Sequence, residues 1–543
     1  MRGSPRSGKG TAVAVQRRSG LRARRFEMSG NYPKRLRSII FFIVLTAFVL
    51  PLVIVPAAAA SEAQASTPQI TSITPSLGCK GLAVDHSVTI YGSGFQPGLT
   101  ASLTLPGAES IPIAVDSVDF EGVTITGRVG IDPSPPGDWN VVVTNPDRGT
   151  TALPGAFSIL GFTHTVVNPS LTGQVNSMME FKNQLYVAAG DDLLRSSDGT
   201  TWQFVTQNGF GESKNLYSMA VLNDYLYVGD GACQVWRSLD GGSFSKVNNP
   251  GFGNANNSSA ASMAIFNGYL YVGTSNTLGC QVWRTSNGTS WTSSNGDGFG
   301  ATANTKVTEL KVFKNALYAG TSNSSQGCGV YRTTTGTGWA KVNVSGFGVT
   351  TNVSVSALET YGDYIYVGTA DSYSLWKNAT VCDLYRASDG NTWVRVGSEG
   401  FAEETGIPRA TKIGDICAVG EFLILTTYGS RLQYYPPVLY VYGEYETYLI
   451  SKDGLNWVKR EPNYKVESQT NYDPPVFKGP VTYFSFGGSV YAGTSRIERI
   501  DGLIRPKPPL PCGKGAGSST LVIGIMLGFL GLGDVLRRRK RNS

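Results

Sequence analysis

Short runs of alternating apolar and polar residues, separated by glycine-rich turns, extend over most of this chain. Between residues 161 and 503 one run recurs seven times, as QLYVAAG, YLYVGDG, YLYVGTS, ALYAGTS, YIYVGTA, FLILTTYG and SVYAGTS. Short period-two runs bounded by Gly, Asn and Asp predict strands rather than helices. We therefore expect an all-β protein built largely from one repeated unit.

The spacing of these runs predicts the architecture. Their first apolar positions are Leu185, Leu226, Leu270, Leu317, Ile365, Leu423 and Val490. Successive spacings are 41, 44, 47, 48, 58 and 67 residues. An all-β repeat with a period in the forties is typical of propeller blades of four strands each. Residues 161–503 are therefore predicted to form a seven-bladed β-propeller.

The third repeat shows how one blade is read. ASMAIF is the inner strand A, Asn267-Gly268 is a hairpin turn, and YLYVGT, QVWRT and SWTSSN are strands B, C and D. Seven A–B signatures occur, but only six C–D turns of this kind. The simplest account is that residues near Thr163 to Val167 supply the outer strand of blade seven and close the ring.

The six C–D turns share a sequence pattern. They read SSDGTTW, SLDGGSF, TSNGTSW, TTTGTGW, ASDGNTW and SKDGLNW. These phrases resemble a shortened Asp-box (BNR) repeat, which is known from sialidases and many unrelated propellers. The resemblance implies that Asp198, Asp240, Asp389 and Asp453 accept backbone N–H bonds within their turns. That role is structural and does not indicate an enzyme.

Residues 68–160 form a different module. Short alternating strands separated by Gly/Pro turns favour a β-sandwich. The pieces ITSITPSLG, VTIYGSGF, PGDWNVVVTNPD and AFSI resemble the IPT/TIG family of Ig-like domains. That family implies an extracellular spacer or binding module and brings no catalytic residues.

The N-terminal residues 1–63 have the layout of a secretory signal. A basic stretch precedes an apolar core at 39–60, and an Ala cluster follows. We expect cleavage near Ala60. The alternative is an uncleaved anchor, because the apolar run is long enough to span a bilayer.

The C-terminal segments predict a membrane anchor. A Pro/Gly linker at 504–518 leads to an expected transmembrane helix at 519–536 and a basic cytoplasmic tail at 537–543. This layout resembles the sorting signals of prokaryotic surface proteins. The basic ends account for the formal net charge of +7, so the folded part is mildly acidic and nucleic-acid binding is not expected.

Few residue types suited to metal or histidine chemistry are present. The chain has two histidines, His86 and His164, in different modules, and no HExxH, CxxC pair or calcium loop. We expect no metal and no cofactor. Four of the seven cysteines precede strand C in successive blades, namely Cys233, Cys280, Cys328 and Cys382. Packed thiols and disulfides between neighbours both remain open, with packed thiols favoured by the blade spacing. Cys512 stands apart near the membrane segment.

Two functions fit these features. The first is a membrane-anchored cell-surface protein that binds an extracellular polysaccharide or a surface protein. The alternative is a secreted glycoside hydrolase of sialidase-like type. Glycosidases use two carboxylates, and the blade-specific acids on inner strands are Glu309, Glu359 and Asp415. We take Glu309 and Asp415 as the catalytic candidates of that alternative.

Long insertions in blades five to seven predict a ligand face. They lie in B–C and D–A loops, which share one side of the ring, and loops on a rigid scaffold commonly carry binding sites. The candidate ligand residues are Tyr373, Trp376, Arg431, Tyr434, Tyr435, Tyr464 and Tyr472. The alternative is that the tyrosines belong to a β-hairpin that packs on blade six alone.

Overall fold

The structure is a computed structural model. It describes residues 67–80, 85–168, 171, 173–212, 214–371, 382–397, 401, 410–435, 438–460, 482–494 and 496–502. The expected signal segment and the C-terminal linker, helix, tail and Cys512 lie outside these residues. Within the described ranges, no helix combines the length and apolarity needed to cross a membrane.

The N-terminal module is a β-sandwich of eight strands. They are Gln69–Thr74 (β1), Leu77–Cys79 (β2), His86–Ser93 (β3), Thr100–Thr104 (β4), Ile111–Val118 (β5), Thr124–Val129 (β6), Gly137–Thr144 (β7) and Thr150–Leu160 (β8). Strand β5 joins the two layers, because Ile111–Ile113 pairs with β4 and Ala114–Val118 pairs with β6. Strand β2 runs parallel to β8. Inward-facing apolar residues around the fully buried Trp139 fill the core.

The remaining described strands form seven four-stranded antiparallel blades, numbered in chain order. Blades one to three contain Val175–Phe181, Gln184–Ala189, Asp192–Ser196 and Gln203–Thr206 (β10–β13); Leu216–Leu222, Tyr225–Asp230, Val235–Ser238 and Ser245–Lys246 (β14–β17); and Asn257–Phe266, Tyr269–Asn276, Val282–Thr285 and Thr292–Ser293 (β18–β21).

Blades four to six contain Lys306–Phe313, Ala316–Ser322, Val330–Thr333 and Ala340–Lys341 (β22–β25); Asn352–Tyr361, Tyr364–Asp371, Leu384–Ala387 and Val394–Val396 (β26–β29); and Ala410–Val419, Phe422–Tyr435, Val438–Ser451 and Val458–Arg460 (β30–β33). Short helical turns at Asn208–Gly211, Pro250–Gly253, Asp297–Gly300 and Ser345–Gly348 precede blades two to five.

Blade seven combines the two ends of the repeat region. Its strands are Thr482–Phe486, Ser489–Gly493 and Ile497–Asp501 (β34–β36), with Thr163–Asn168 (β9) as the outermost strand. Strand β9 pairs antiparallel with β36, with Thr165 opposite Arg499. Each inner strand contacts the inner strands on both sides, including β34 with β10, so the blades form a closed ring. The pairing of β9 with β36 is the closure that the unequal numbers of A–B and C–D signatures predicted.

In every blade except blade six, a tyrosine of strand B links the blade to the next one. Its hydroxyl lies against the glycine of the following C–D turn, where an added Cβ would overlap the ring. The pairs are Tyr186 with Gly241, Tyr227 with Gly288, Tyr271 with Gly336, Tyr318 with Gly390, Tyr366 with Gly454, and Tyr491 with Gly199. These glycines have positive φ values, so both the backbone and the contact require glycine. The repeated phrase therefore encodes contacts between blades as well as strands.

Blade six departs from this rule at the interface with blade seven. In the other blades the tyrosine pairs across the strands with an arginine, as in Tyr271 with Arg284. In blade six the same register pairs Ile424 with Ile450. The next blade has no C–D turn to receive a tyrosine, because β9 arrives there from the other end of the ring. Blade six therefore lacks the tyrosine–arginine pair at the interface where the next blade lacks the C–D turn.

The sandwich occupies the place of that missing turn. Ile424 and Ile450 belong to one buried apolar cluster with the sandwich residues Leu77, Cys79 and Leu160. Beside the cluster, Lys452 Nζ donates a 2.7 Å hydrogen bond to Ser158 Oγ. The sandwich is therefore packed onto blades six and seven rather than joined to them through a flexible linker.

The acidic C–D turns have the hydrogen bonds expected of them. One carboxylate oxygen accepts two backbone N–H bonds of 2.6–2.8 Å in each turn: Asp198 from Thr200 and Thr201, Asp240 from Gly242 and Ser243, Asp389 from Asn391 and Thr392, and Asp453 from Leu455 and Asn456. These bonds hold the pKa values of Asp198, Asp240 and Asp389 below the ordinary range. All four carboxylates are thus engaged in turn structure.

The cysteines before strand C are packed thiols. Cys233, Cys280, Cys328 and Cys382 are free and buried. Burial raises the pKa of Cys280 and of Cys328 to about 12. They are small apolar residues between blades, and the disulfide alternative is not what the structure contains.

The closing strand provides a stability test with an internal control. Val167 packs into the cluster between blades seven and one, whereas Val166 next to it is 41% exposed. We expect Val167→Asp to lower the free energy of unfolding by about 1–3 kcal/mol, because it places a charge against that cluster. Val166→Asp should change it by less than about 0.5 kcal/mol. Urea denaturation of the two variants measures both values, and equal effects would contradict the closure described here.

Candidate functional site

The inner strands of blades three to seven enclose a pocket at the ring axis. Its volume is about 340 Å³, and we call it the axial pocket. Apolar residues such as Met263 and Leu358 line part of it. Its polar or ionisable lining residues are Glu309, Lys311, Glu359, Asp415, Cys417 and Tyr483. Each comes from β22, β26, β30 or β34, so neighbouring blades place them together although they are far apart in sequence.

Glu309 occupies a repeat position where blades two, three, five and seven carry short uncharged residues. The residue at this position pairs with the last glycine of the strand B phrase: Ser218 with Gly229, Ser262 with Gly273, Glu309 with Gly320, Ala357 with Gly368, and Thr482 with Gly493. The serines bridge neighbouring blades, since Ser218 Oγ donates to Ala260 O and Ser262 Oγ accepts from Leu310 N. A glutamate is therefore not required there by the ring architecture.

Lys311 and Glu359 form an ion pair in the axial pocket. Lys311 Nζ lies 2.6 Å from Glu359 Oε1, and the two side chains are 33% and 15% exposed. Burial lowers the pKa of Lys311, but the Glu359 carboxylate outweighs that effect and leaves it above the ordinary value of 10.5. This ammonium is therefore charged and already paired.

The other two carboxyl groups are poorly compensated. Burial, and then the nearby Asp415, raise the pKa of Glu309 to about 8. Burial, and then Glu359, raise the pKa of Asp415 to about 7. Asp415 lies in an irregular part of β30, between Ile413 and Ile416, and its Oδ1 accepts a 2.9 Å bond from the N–H of Ile416. Both groups titrate near neutral pH.

Cys417 is not suited to act as a nucleophile. Its Sγ donates to the carbonyl oxygen of Tyr483 at 3.5 Å. Burial raises the pKa of this thiol well above its usual range, and only the thiolate is a strong nucleophile. The axial pocket thus offers carboxyl groups and one ammonium as its reactive groups.

The histidines lie elsewhere. His86 is buried in the sandwich beside the carbonyl of Cys79, and His164 on β9 pairs with Glu498 at 2.8 Å. In the part of the chain that the structure describes, no group of three His, Cys, Asp or Glu residues could hold a metal ion.

The predicted ligand face is only partly described. Tyr373, Trp376, Tyr464 and Tyr472 lie outside the described residues. Arg431, Tyr434 and Tyr435 are on β31, which pairs with β32 up to Tyr435 opposite Val438. These three residues therefore belong to a long β-hairpin of blade six, and their role in binding a ligand stays a prediction.

Sequence reasoning identified the axial acids but not their partner. Glu309, Glu359 and Asp415 are found together, as expected for acids on inner strands. Lys311 was missed, although it stands two residues after Glu309, on the same inner strand. An alignment of the seven inner strands by register, rather than a search for acidic residues alone, shows Glu309 and Lys311 as departures from the repeat.

Comparisons with known proteins concern the fold. No family model matches the chain, and no curated protein matches it either. Similar solved structures include a protein of unknown function from Bacteroides thetaiotaomicron, with 14% identity over 66% of this chain and 95% of that one, at a TM-score of 0.33. YCF48 bound to D1 peptide has 14% identity over 62% and 95%, at 0.40. An ancestral GH74 enzyme has 19% identity over 61% and 45%, also at 0.40. The chain has a β-propeller-like fold.

The raised pKa of Glu309 predicts a pH-dependent cost to stability. Above the ordinary glutamate value of 4.5 the unfolded chain releases this proton, whereas the folded protein keeps it up to about pH 8. Folding is therefore disfavoured progressively as the pH rises from 4.5 to 8. We expect Glu309→Gln to be more stable than the wild type by about 1–2 kcal/mol at pH 9, with a smaller difference at pH 5. The control Glu180→Gln alters an exposed acid of β10. Thermal unfolding at both pH values checks this, and equal shifts for the two variants would contradict it.

Proposed function

We propose that this protein is an exported cell-surface binding protein whose axial pocket holds a small polar ligand. The observation that carries the proposal is that Glu309, Lys311, Glu359 and Asp415 converge on one cavity. Because a strict repeat needs none of these charges at the ring axis, their presence there favours a role in binding. A volume of about 340 Å³ is at the small end of the range for ligand pockets. An extracellular polysaccharide end group or a side chain of a surface protein fits this space.

The remaining organisation is proposed from sequence patterns. Residues 1–63 would direct export, and residues 519–536 would anchor the chain with its basic tail in the cytoplasm of a prokaryote. Residues 68–160 would be an IPT/TIG module, and the ring an Asp-box propeller. Because the sandwich packs on blades six and seven, the two modules would reach outward as one rigid body.

Glycoside hydrolysis is the second candidate, since Glu309 and Asp415 share one pocket. A glycosidase keeps one carboxyl group protonated and its partner ionised, which requires well-separated pKa values. Here burial raises the pKa values of both groups, to about 8 and about 7, and Glu359 is paired with Lys311 at 2.6 Å. Two acids whose pKa values are raised together favour binding over this chemistry.

A combined screen tests both candidates. The ectodomain, residues 64–505, is applied to glycan and matrix-protein arrays and incubated with aryl glycosides and sialyl substrates. We expect binding without turnover, weakened about tenfold or more in Glu309→Gln and unchanged in Glu180→Gln. Turnover that disappears in Glu309→Gln or Asp415→Asn would establish the glycosidase instead. Array binding that is unaffected by Glu309→Gln would move the site away from the axis.

The proposed location has its own test. Protease treatment of intact cells should release fragments of the ring into the medium, because the folded modules would face outward. A cytoplasmic marker protein serves as the control for lysis. Full protection of the chain in intact cells, with digestion after lysis, would contradict the cell-surface assignment.

A further inference from the structure

The charges of the axial pocket do not balance. Three carboxyl groups line it, those of Glu309, Glu359 and Asp415, against the single ammonium of Lys311. That ammonium is held by Glu359 at 2.6 Å. Lys412 is on the same inner strand as Asp415, but its Nζ lies over the ring of Tyr428, 5.9 Å from the centroid. Lys306 and Lys311 act on Glu309 from a distance, and Lys412 feels the charge of Asp415. Among the described residues, however, no lysine forms an ion pair with Glu309 or Asp415.

The position of Glu309 is locally unfavourable for the ring. Where other blades use a serine to bond to the next blade, the Glu309 carboxyl has no hydrogen-bond partner among the described residues. Native structures seldom leave a buried polar group unpaired, so an unpaired carboxyl group that lines a cavity favours an occupant there.

We propose that the ligand of the axial pocket carries a protonated amine, and that this ammonium group is held between Glu309 and Asp415. The inference rests on the proposed function, since it names the chemistry of that same site. An ammonium has three N–H donors and a full positive charge. It would therefore pair with both acids, as Lys311 does with Glu359, and a neutral hydroxyl of equal size would not.

Binding of a cation must depend on pH, because only the ionised acids attract it. Burial raises the pKa values of Glu309 and Asp415 to about 8 and about 7. Affinity should therefore increase as the pH rises from 6 to 8.5, and binding should release protons. The other ionisable groups facing these acids are Lys306 and Lys311 on β22, Glu359 on β26, Lys412 and Cys417 on β30, and Tyr483 on β34. Burial lowers the pKa of Lys412, the Glu359 carboxylate keeps the pKa of Lys311 above its ordinary value, and burial raises the pKa of the Cys417 thiol well above its usual range.

Two molecules of nearly equal shape test the charge directly. Cyclohexylamine is protonated throughout this pH range, and cyclohexanol is its neutral counterpart. Isothermal titration of the ectodomain, sandwich and ring together, should show the amine binding about tenfold or more tightly than the alcohol at pH 8.5. The amine should bind more weakly at pH 6. Titrations in two buffers of different ionisation enthalpy measure the proton release.

Substitutions of the two acids test where the amine binds. Glu309→Gln and Asp415→Asn keep the shape of the side chain, and each should reduce amine affinity about tenfold or more at pH 8.5. Glu180→Gln, an exposed acid of blade one, should leave it unchanged. Circular dichroism and thermal unfolding establish that the variants are folded. A loss in all three variants alike would contradict the proposed site.

The outcomes separate the two proposals. Equal affinity for the amine and the alcohol, no amine binding at all, or full displacement by sodium or calcium ions would overturn the ammonium assignment. If a neutral glycan from the array still binds in a Glu309-dependent manner, the axial pocket remains the binding site and only its ligand chemistry is wrong. If neither the amine nor any array ligand depends on Glu309, both proposals fail.

Discussion

The contact between a strand B tyrosine and the glycine of the next C–D turn is the interaction on which the ring depends. It recurs at six interfaces, and each time it joins the middle of one blade to the outer edge of the next. The tyrosine supplies apolar area and a polar hydroxyl, and the glycine supplies a left-handed turn with no Cβ to obstruct the ring. The same contact thus gives successive blades one relative geometry.

The seventh interface shows why this constraint matters. Closure by β9 leaves blade seven without a C–D turn, so a tyrosine in blade six would have no turn to contact. Ile424 and Ile450 replace the tyrosine and its arginine partner, and the sandwich covers them. Closure by β9, the two isoleucines in place of the tyrosine and arginine, and the packing of the sandwich therefore depend on one another. The sandwich covers an interface of the ring and is more than a spacer.

The tyrosine–glycine contact does not use the pocket-facing positions of the inner strands, so the residues at those positions can differ between blades. Blades two and three use the position of Glu309 for a serine bridge, and blade four places a carboxyl group there. Lys311, Glu359 and Asp415 depart from the repeat in the same sector. The functional proposal follows from this contrast: the residues of the tyrosine–glycine contacts are constrained, whereas the residues that face the axial pocket vary.

The periodicity of the sequence was sufficient to predict the blades, the closing strand and the acidic turns, because each depends on local strand and turn chemistry. It could not predict that Lys311 pairs with Glu359, since the two are on different blades and their contact depends on how the inner strands converge. It also could not predict that Ile424 and the sandwich residue Leu160 share one apolar cluster, although the loss of a tyrosine from one repeat was visible. Arg431 and Tyr434 were assigned to a loop because an insertion between strands reads as one. In the sequence, a hairpin that lengthens two strands looks the same as an inserted loop, because the residue pattern shows no break where the strands continue.

Hydrogen exchange with a bound ligand tests the central claim, that the ring axis is the binding site, most directly. The ectodomain is exchanged with and without the ligand that binds most tightly in the array screen, and protection is followed by mass spectrometry. The account predicts slower exchange in peptides from β22, β26 and β30, with blades one and two unchanged. Protection confined to the β31–β32 hairpin, with no change in those inner strands, would contradict it.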